Sequence, residues 1–262
     1  PGNVPSYIEK TAKIKRAVND LVLSKTFDNG MICASEQAVI VDKEIFEEVK
    51  NEFIRYGVYF IDEEQKKLLE KYMFGGKCDC HHCSAALNPA VVGQSANWIA
   101  EQAGIKVPEN TSIIAAMCDS VGPQEPLTRE KLSPVLAFLI SDSTEDGISK
   151  ACQMVEFNGL GHSAAIHTED KKISEEFGER VKAIRVIWNS PSTFGGIGNV
   201  YNSFLPSLTL GCGSYGRNSV GGNVSAINLL NIKQIGKRRN NMQWFKVPSK
   251  IYFERNSIEY LK

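Results

Sequence analysis

The chain has 262 residues, 42% hydrophobic and 23% charged, which is ample material for a folded domain with a sizeable core. Its 30 basic and 30 acidic residues cancel, so no global field favours nucleic acid or an anionic membrane surface. No apolar stretch approaches the roughly 20 residues needed to span a bilayer, and no signal peptide is visible.

From the amino end, Ile8 to Leu23 carries apolar residues at helical spacing (Ile14, Ala17, Val18, Leu21). Asp28-Asn29-Gly30 signals a turn, and Ala38 to Val41 reads as a buried strand. Ile45 to Ile54 and Glu63 to Tyr72 read as two further helices, and Trp98 to Ala103 as a short one stopped by Gly104. Ser112 to Met117 and Val135 to Ile140 are continuous apolar runs, as parallel strands covered on both faces require. Asp146 to Phe157 is a predicted helix, Ser163 to His167 a strand, Ile173 to Val181 a helix and Ile184 to Trp188 a strand. Strands alternating with helices imply an α/β fold with a largely parallel sheet. The texture then changes, because Gly195 to Gly222 is rich in glycine and serine. A basic helix and a strand over Ser249 to Glu254 are expected beyond it.

Seven cysteines, most of them alone in apolar segments, fit a reducing cytoplasm better than a disulfide framework. Cys33 follows the Asp28-Asn29-Gly30 turn, where a substrate could reach it. Backbone N–H groups of a following helix or turn, aimed at the sulfur, would favour the thiolate. His162 stands at the mouth of a predicted strand with a side chain that titrates near neutrality, suited to proton transfer or to a structural bond. His167, within the strand, reads as structural. Cys78-Asp79-Cys80-His81-His82-Cys83 packs potential metal ligands tightly, but lacks the distant second pair of a structural zinc site. We therefore expect a surface loop with no dedicated metal.

Five segments carry a family resemblance. Ser24 to Gln37 around Cys33 closely resembles the nucleophile segment of the CoA-acylating aldehyde dehydrogenases, above all the aldehyde dehydrogenase half of the bacterial bifunctional aldehyde–alcohol dehydrogenases. Glu130-Lys131-Leu132-Ser133-Pro134, Gly159-Leu160-Gly161-His162-Ser163, Phe194 to Gly198 and Pro206 to Ser214 follow in the family's order. Gly75 to Ser84 looks like an insertion.

The resemblance implies an aldehyde-dehydrogenase-like catalytic domain with Cys33 as nucleophile and His162 as base. It implies that Glu130 accepts hydrogen bonds from the ribose hydroxyls of NAD. Coenzyme A would be co-substrate, and acetyl-CoA would be reduced reversibly to acetaldehyde through a cysteine thioester. Another small aldehyde, or a non-catalytic assembly or metal-binding module, is the alternative. In such relatives a dinucleotide-binding domain precedes this region and an iron-dependent alcohol dehydrogenase follows it. No Gly-x-Gly-x-x-Gly fingerprint follows a strand here. The chain is thus expected to be a piece of a longer protein, inactive alone and lacking most of its cofactor domain. Residues 1–27 would end that domain, 28–190 would form the catalytic domain, and 191–262 would pack on the cofactor domain or another subunit. A homo-oligomer or filament is expected, with no nucleic acid or membrane partner.

Overall fold

Covered on both faces, the apolar runs become strands of one parallel sheet in the computed structural model, which describes residues 1–75 and 86–238. The strands are β1 (Val4–Ile8), β2 (Glu36–Asp42), β3 (Val58–Ile61), β4 (Ile113–Met117), β5 (Val135–Ser141), β6 (Gly161–His167) and β7 (Ala183–Trp188). Their order is β3-β4-β5-β2-β1-β6-β7, every pair parallel. The helices are α1 (Ile14–Thr26), α2 (Phe46–Arg55), α3 (Glu63–Phe74), α4 (Ala96–Gln102), α5 (Thr144–Asn158), α6 (Lys171–Arg180) and α7 (Ser192–Ile197). Among the described residues, no helix is long and apolar enough to cross a membrane.

Alternation along the strands assigns each face its helices. Tyr7, Ala38, Ile40, Ile114 and Leu139 pack with Leu69 and Met73 of α3, Ile99 of α4, Ile148 and Ala151 of α5, and Phe177 of α6. Ile8, Val39, Val41 and Phe138 face the other way, toward Val18 and Leu21 of α1 and Val49 and Phe53 of α2. There the Phe138 ring meets Phe53 and Phe60 edge-on at 5.0 and 4.8 Å, contacts worth about 0.5–1.5 kcal/mol each beyond area burial. Polar caps set the helix starts. Asp62 and Gln65 form a reciprocal capping box on α3, Ser143 accepts from Asp146 N on α5, and Asp170 caps α6.

Four elements differ from expectation. Val4–Ile8 is a central strand, hidden in sequence by Pro5, which cannot donate to a ladder; the register shift between Val4 and Pro5 absorbs it. The first helix accordingly starts at Ile14, six residues later than Ile8. β3 has only four residues, too few for a periodic signal, and α7 forms despite Gly195 and Gly196.

Contacts divide the chain into units Pro1–Val224 and Ser225–Lys262. Residues 1–27, expected to end a separate cofactor domain, supply β1 and α1 of this same sheet, and residues 191–224 belong to the sheet's unit. In the second unit, residues 225–238 hold a single 3-10 turn, Ala226–Leu229, and no helix. The rest of the expected basic helix, the Ser249–Glu254 strand and the Cys78–Cys83 cluster lie outside the described residues.

Candidate active site

Topology assembles the site. Across the neighbours β5-β2-β1-β6-β7, the segments entering the first three carry Glu130, Cys33 and Gly2. The opening residues of β6 and β7 carry His162 and Arg185. All collect at the amino-terminal edge of the sheet, whereas ligands of open parallel sheets usually sit at the carboxyl ends.

Cys33 is presented by a tight 3-10 turn, Phe27–Gly30, in which Asp28, Asn29 and Gly30 have φ of +50°, +49° and +69°. Asp and Asn tolerate the left-handed region because their short side chains bond locally; here Asn29 Nδ2 donates to the Gly93 carbonyl at 2.9 Å. Gly30 has no substitute, since a Cβ there would meet the Ser133 carbonyl oxygen at 2.7 Å. The turn leaves Cys33 half-buried.

Gly2 ties Cys33 to the Glu130 carboxylate. Its N–H donates to Glu130 Oε1 at 2.6 Å, and its Cα lies so close to Cys33 that a Cβ would stand 2.0 Å from the Cys33 carbonyl oxygen. Asn3, the next residue, donates from Nδ2 to the carbonyls of Thr128 and Met154, both at 2.9 Å. The start of β1 is thereby locked to the Glu130 segment and to α5. Glu130 Oε2 makes no hydrogen bond among the described residues, leaving an acceptor suited to sugar hydroxyls.

The electrostatics differ from the expected thiolate-holding turn. Burial pushes the Cys33 thiol above the ordinary cysteine value and the Glu130 carboxylate adds to this. Cys33's own N–H and the Arg185 guanidinium act the other way, and burial outweighs them. Cys33 is thus a thiol that would have to lose a proton before acting as a nucleophile. His162 is buried, with Nδ1 3.0 Å from Ser163 Oγ and Nε2 without a partner among the described residues. Burial, then the Arg185 cation, pull its imidazole down to about 4, so at neutral pH the ring is uncharged and a weaker base than a free imidazole. His167, fully buried on β6 with neither ring nitrogen partnered among the described residues, is held at about 3 by burial and then Arg16.

Arg185 was overlooked in sequence, although a guanidinium inside the otherwise apolar run Ala183–Trp188 was itself a signal. Its Nη1 donates to the carbonyls of His162 and Gly211, at 3.1 and 2.8 Å, and Nη2 also donates to Gly211. Cys212, next along, lies against β6, where a Cβ on Gly161 would fall 2.0 Å from the Cys212 carbonyl oxygen. A cavity of about 420 Å³ opens here between Pro1, Gly159, Leu160, Cys212 and Arg217.

Residues 1–200 match the aldehyde dehydrogenase family. The chain is 68% identical, over all its 262 residues, to an aldehyde-alcohol dehydrogenase of Streptococcus pneumoniae, and spans 30% of that relative's length. An acetylating aldehyde dehydrogenase from Geobacillus thermoglucosidasius superposes with a TM-score of 0.80 at 39% identity, over 91% of this chain and 52% of that one. A probable aldehyde dehydrogenase from Listeria monocytogenes gives a TM-score of 0.84 at 38% identity, over 92% and 51%. With the parallel sheet, the ordered segments and this match in agreement, the chain belongs to the aldehyde dehydrogenase family.

Proposed function

We propose that this chain is the thiol-bearing part of a CoA-acylating aldehyde dehydrogenase that interconverts acetyl-CoA and acetaldehyde with NAD. The observation that carries the reading is Cys33 on its left-handed turn, joined through Gly2 to Glu130. Similarity to proteins named aldehyde-alcohol dehydrogenase and acetylating aldehyde dehydrogenase supports it.

In this reading the Cys33 thiol loses its proton to solvent, and the sulfur adds to the aldehyde carbon to give a tetrahedral oxyanion. The carbonyl re-forms as hydride departs, leaving an acyl thioester on Cys33. A bound nicotinamide supplies the hydride acceptor, with Glu130 Oε2 as the group for its ribose hydroxyls. The thiol of CoA, deprotonated at neutral His162, then attacks the thioester carbon and expels the Cys33 thiolate. Run backwards, the same steps reduce acyl-CoA. The four described cysteines are all free, in keeping with a cytoplasmic setting. Exposed Val200, Leu205 and Leu208 support assembly into a homo-oligomer that covers them.

The full-length protein, incubated with acetyl-CoA and mapped by peptide mass, should carry the acetyl group on Cys33. In His162→Ala, the first turnover of NADH formation from acetaldehyde should persist while CoA-dependent turnover falls about 10²–10⁴-fold. Acylation elsewhere, or full activity in Cys33→Ala, would sink the reading.

A further inference from the structure

Lys131 follows Glu130 directly and is fully buried, where an amine is costly unless it is well bonded. Its Nζ donates to three backbone carbonyls, those of Leu127 at 2.6 Å, Arg129 at 2.8 Å and Gln37 at 2.9 Å. An ammonium carries three N–H bonds, so this acceptor set matches it in full. Burial, then the Lys25 cation, pull the group well below the ordinary lysine value. The carbonyls oppose that pull, because a neutral amine would turn its lone pair on one of them. Two of the three carbonyls belong to the segment that carries Glu130, and the third lies on β2, just past Cys33. A second tie runs beside the first. Lys131 N donates to Gln37 Oε1 at 3.0 Å, and Gln37 Nε2 donates to the Ser35 carbonyl at 3.0 Å.

We propose that Lys131 is a positioning residue for the cofactor: its ammonium ties the Glu130 segment to the strand that follows Cys33, and so fixes where the ribose-binding carboxylate stands relative to the thiol. One group holds the backbone on both sides of Glu130, since Arg129 gives its carbonyl to Nζ and Lys131 carries that Nζ. Glu130 keeps freedom chiefly in its side chain, and the Gly2 N–H takes up part of that at Oε1. Hydride transfer needs reacting atoms about 3–3.5 Å apart, and an error of about 1 Å can cost about 10²-fold in rate. An apolar side chain of the same length would leave the three carbonyls without this donor and free the two segments to part. The inference rests on the reading of Glu130 as the group for the ribose hydroxyls.

The test is a double-substitution cycle in the full-length protein. NADH affinity is read by its fluorescence, and acetyl transfer from acetyl-CoA to Cys33 by peptide mass. Glu130→Gln should weaken NADH about tenfold, as expected for losing a hydrogen bond to a charged acceptor. Lys131→Met should do the same, while acetyl transfer, which needs no nicotinamide, stays within a few-fold of the parent. In the Glu130→Gln background, Lys131→Met should add less than about twofold, because the carboxylate it acts through is gone. A tenfold loss in both backgrounds assigns Lys131 a general packing role and overturns the proposal, as does acetyl transfer falling in step with NADH affinity. NADH weakened by Glu130→Gln but not by Lys131→Met sinks the proposal alone. NADH bound normally by Glu130→Gln sinks the ribose reading and this proposal with it. If the parent itself takes no acetyl group, the reading of Cys33 fails and the NADH cycle alone decides Lys131. Should Lys131→Met not fold, Lys131→Gln, which keeps two amide donors, enters the same cycle and is read the same way.

Discussion

Gly2 occupies a position where a Cβ would lie 2.0 Å from the Cys33 carbonyl oxygen and 3.1 Å from Glu130 Oε1. Gly2→Ala must therefore displace backbone, at a cost of about 1–3 kcal/mol. Because a 1 Å misplacement of reacting groups can cost about 10²-fold in rate, acyl-CoA reduction should fall by that order while the protein remains folded. Steady-state kinetics beside a thermal melt would check both. His167 gives a prediction in pH. Its imidazole is held at about 3 in the fold and returns to about 6.5 when unfolded, so only the unfolded chain gains a proton as pH falls between these values. Stability from this residue is intact above pH 6.5 and declines by about 1.4 kcal/mol per pH unit below it. His167→Phe should remove that slope: urea midpoints of variant and parent should converge, or cross in the variant's favour, between pH 7 and pH 5. Cys33, Glu130 and His162 were legible because each sits in a short segment with recognisable neighbours. Arg185 was not, because its importance lies in contacts with the His162 and Gly211 carbonyls, and such pairings leave no local trace.

Two glycines in helices make opposite predictions for the same substitution. On α5, a Cβ at Gly147 would stand 2.5 Å from the Tyr7 ring, whose hydroxyl donates to Asp42 Oδ1 at 2.7 Å. Gly147→Ala should push α5 off β1 and lower stability by about 1–3 kcal/mol. On α6, nothing lies within 4 Å of a Cβ at Gly178, and alanine there should add about 0.5–1 kcal/mol through helix propensity. Paired chemical denaturation would separate them, and matching signs would contradict the packing described. At this scale, strands buried on both faces were read from their apolar runs, as with Val135–Ser141, and helices from apolar spacing, as with Ile14–Thr26. β1 and α7 escaped because Pro5 and the Gly195-Gly196 pair argue locally for irregular chain. Tertiary burial overrode both signals: Val4, Tyr7 and Ile8 are fully buried.

Taken as a whole, the molecule accommodates the segment from Gly76 to Ser84 by closing the chain around it. Asn88 N donates to the Met73 carbonyl at 2.8 Å, and Asn88 Nδ2 to the Tyr72 carbonyl at 3.2 Å, so the chain returns to the end of α3 from which it left. Deleting Gly76 to Ser84 from the full-length protein should leave acyl-CoA reduction within a few-fold, about 1 kcal/mol of barrier or less. Loss of activity together with stoichiometric zinc or iron would instead reveal a structural metal site. The parallel architecture was legible from alternation of elements, while the strand order was not, because nothing local states that β1 lies between β2 and β6.

That order imposes a timetable on synthesis. β1 emerges first and β2 soon follows, but the far side of β1 pairs Ile8 with His167. At about 5–20 residues per second the nascent chain carries that open edge for roughly 10–30 s, and β2 likewise waits for β5 to supply Ala137 to Ser141. Unpaired edges are templates for foreign strands, so the ribosome-bound chain is exposed to mispairing before His162 has even been translated.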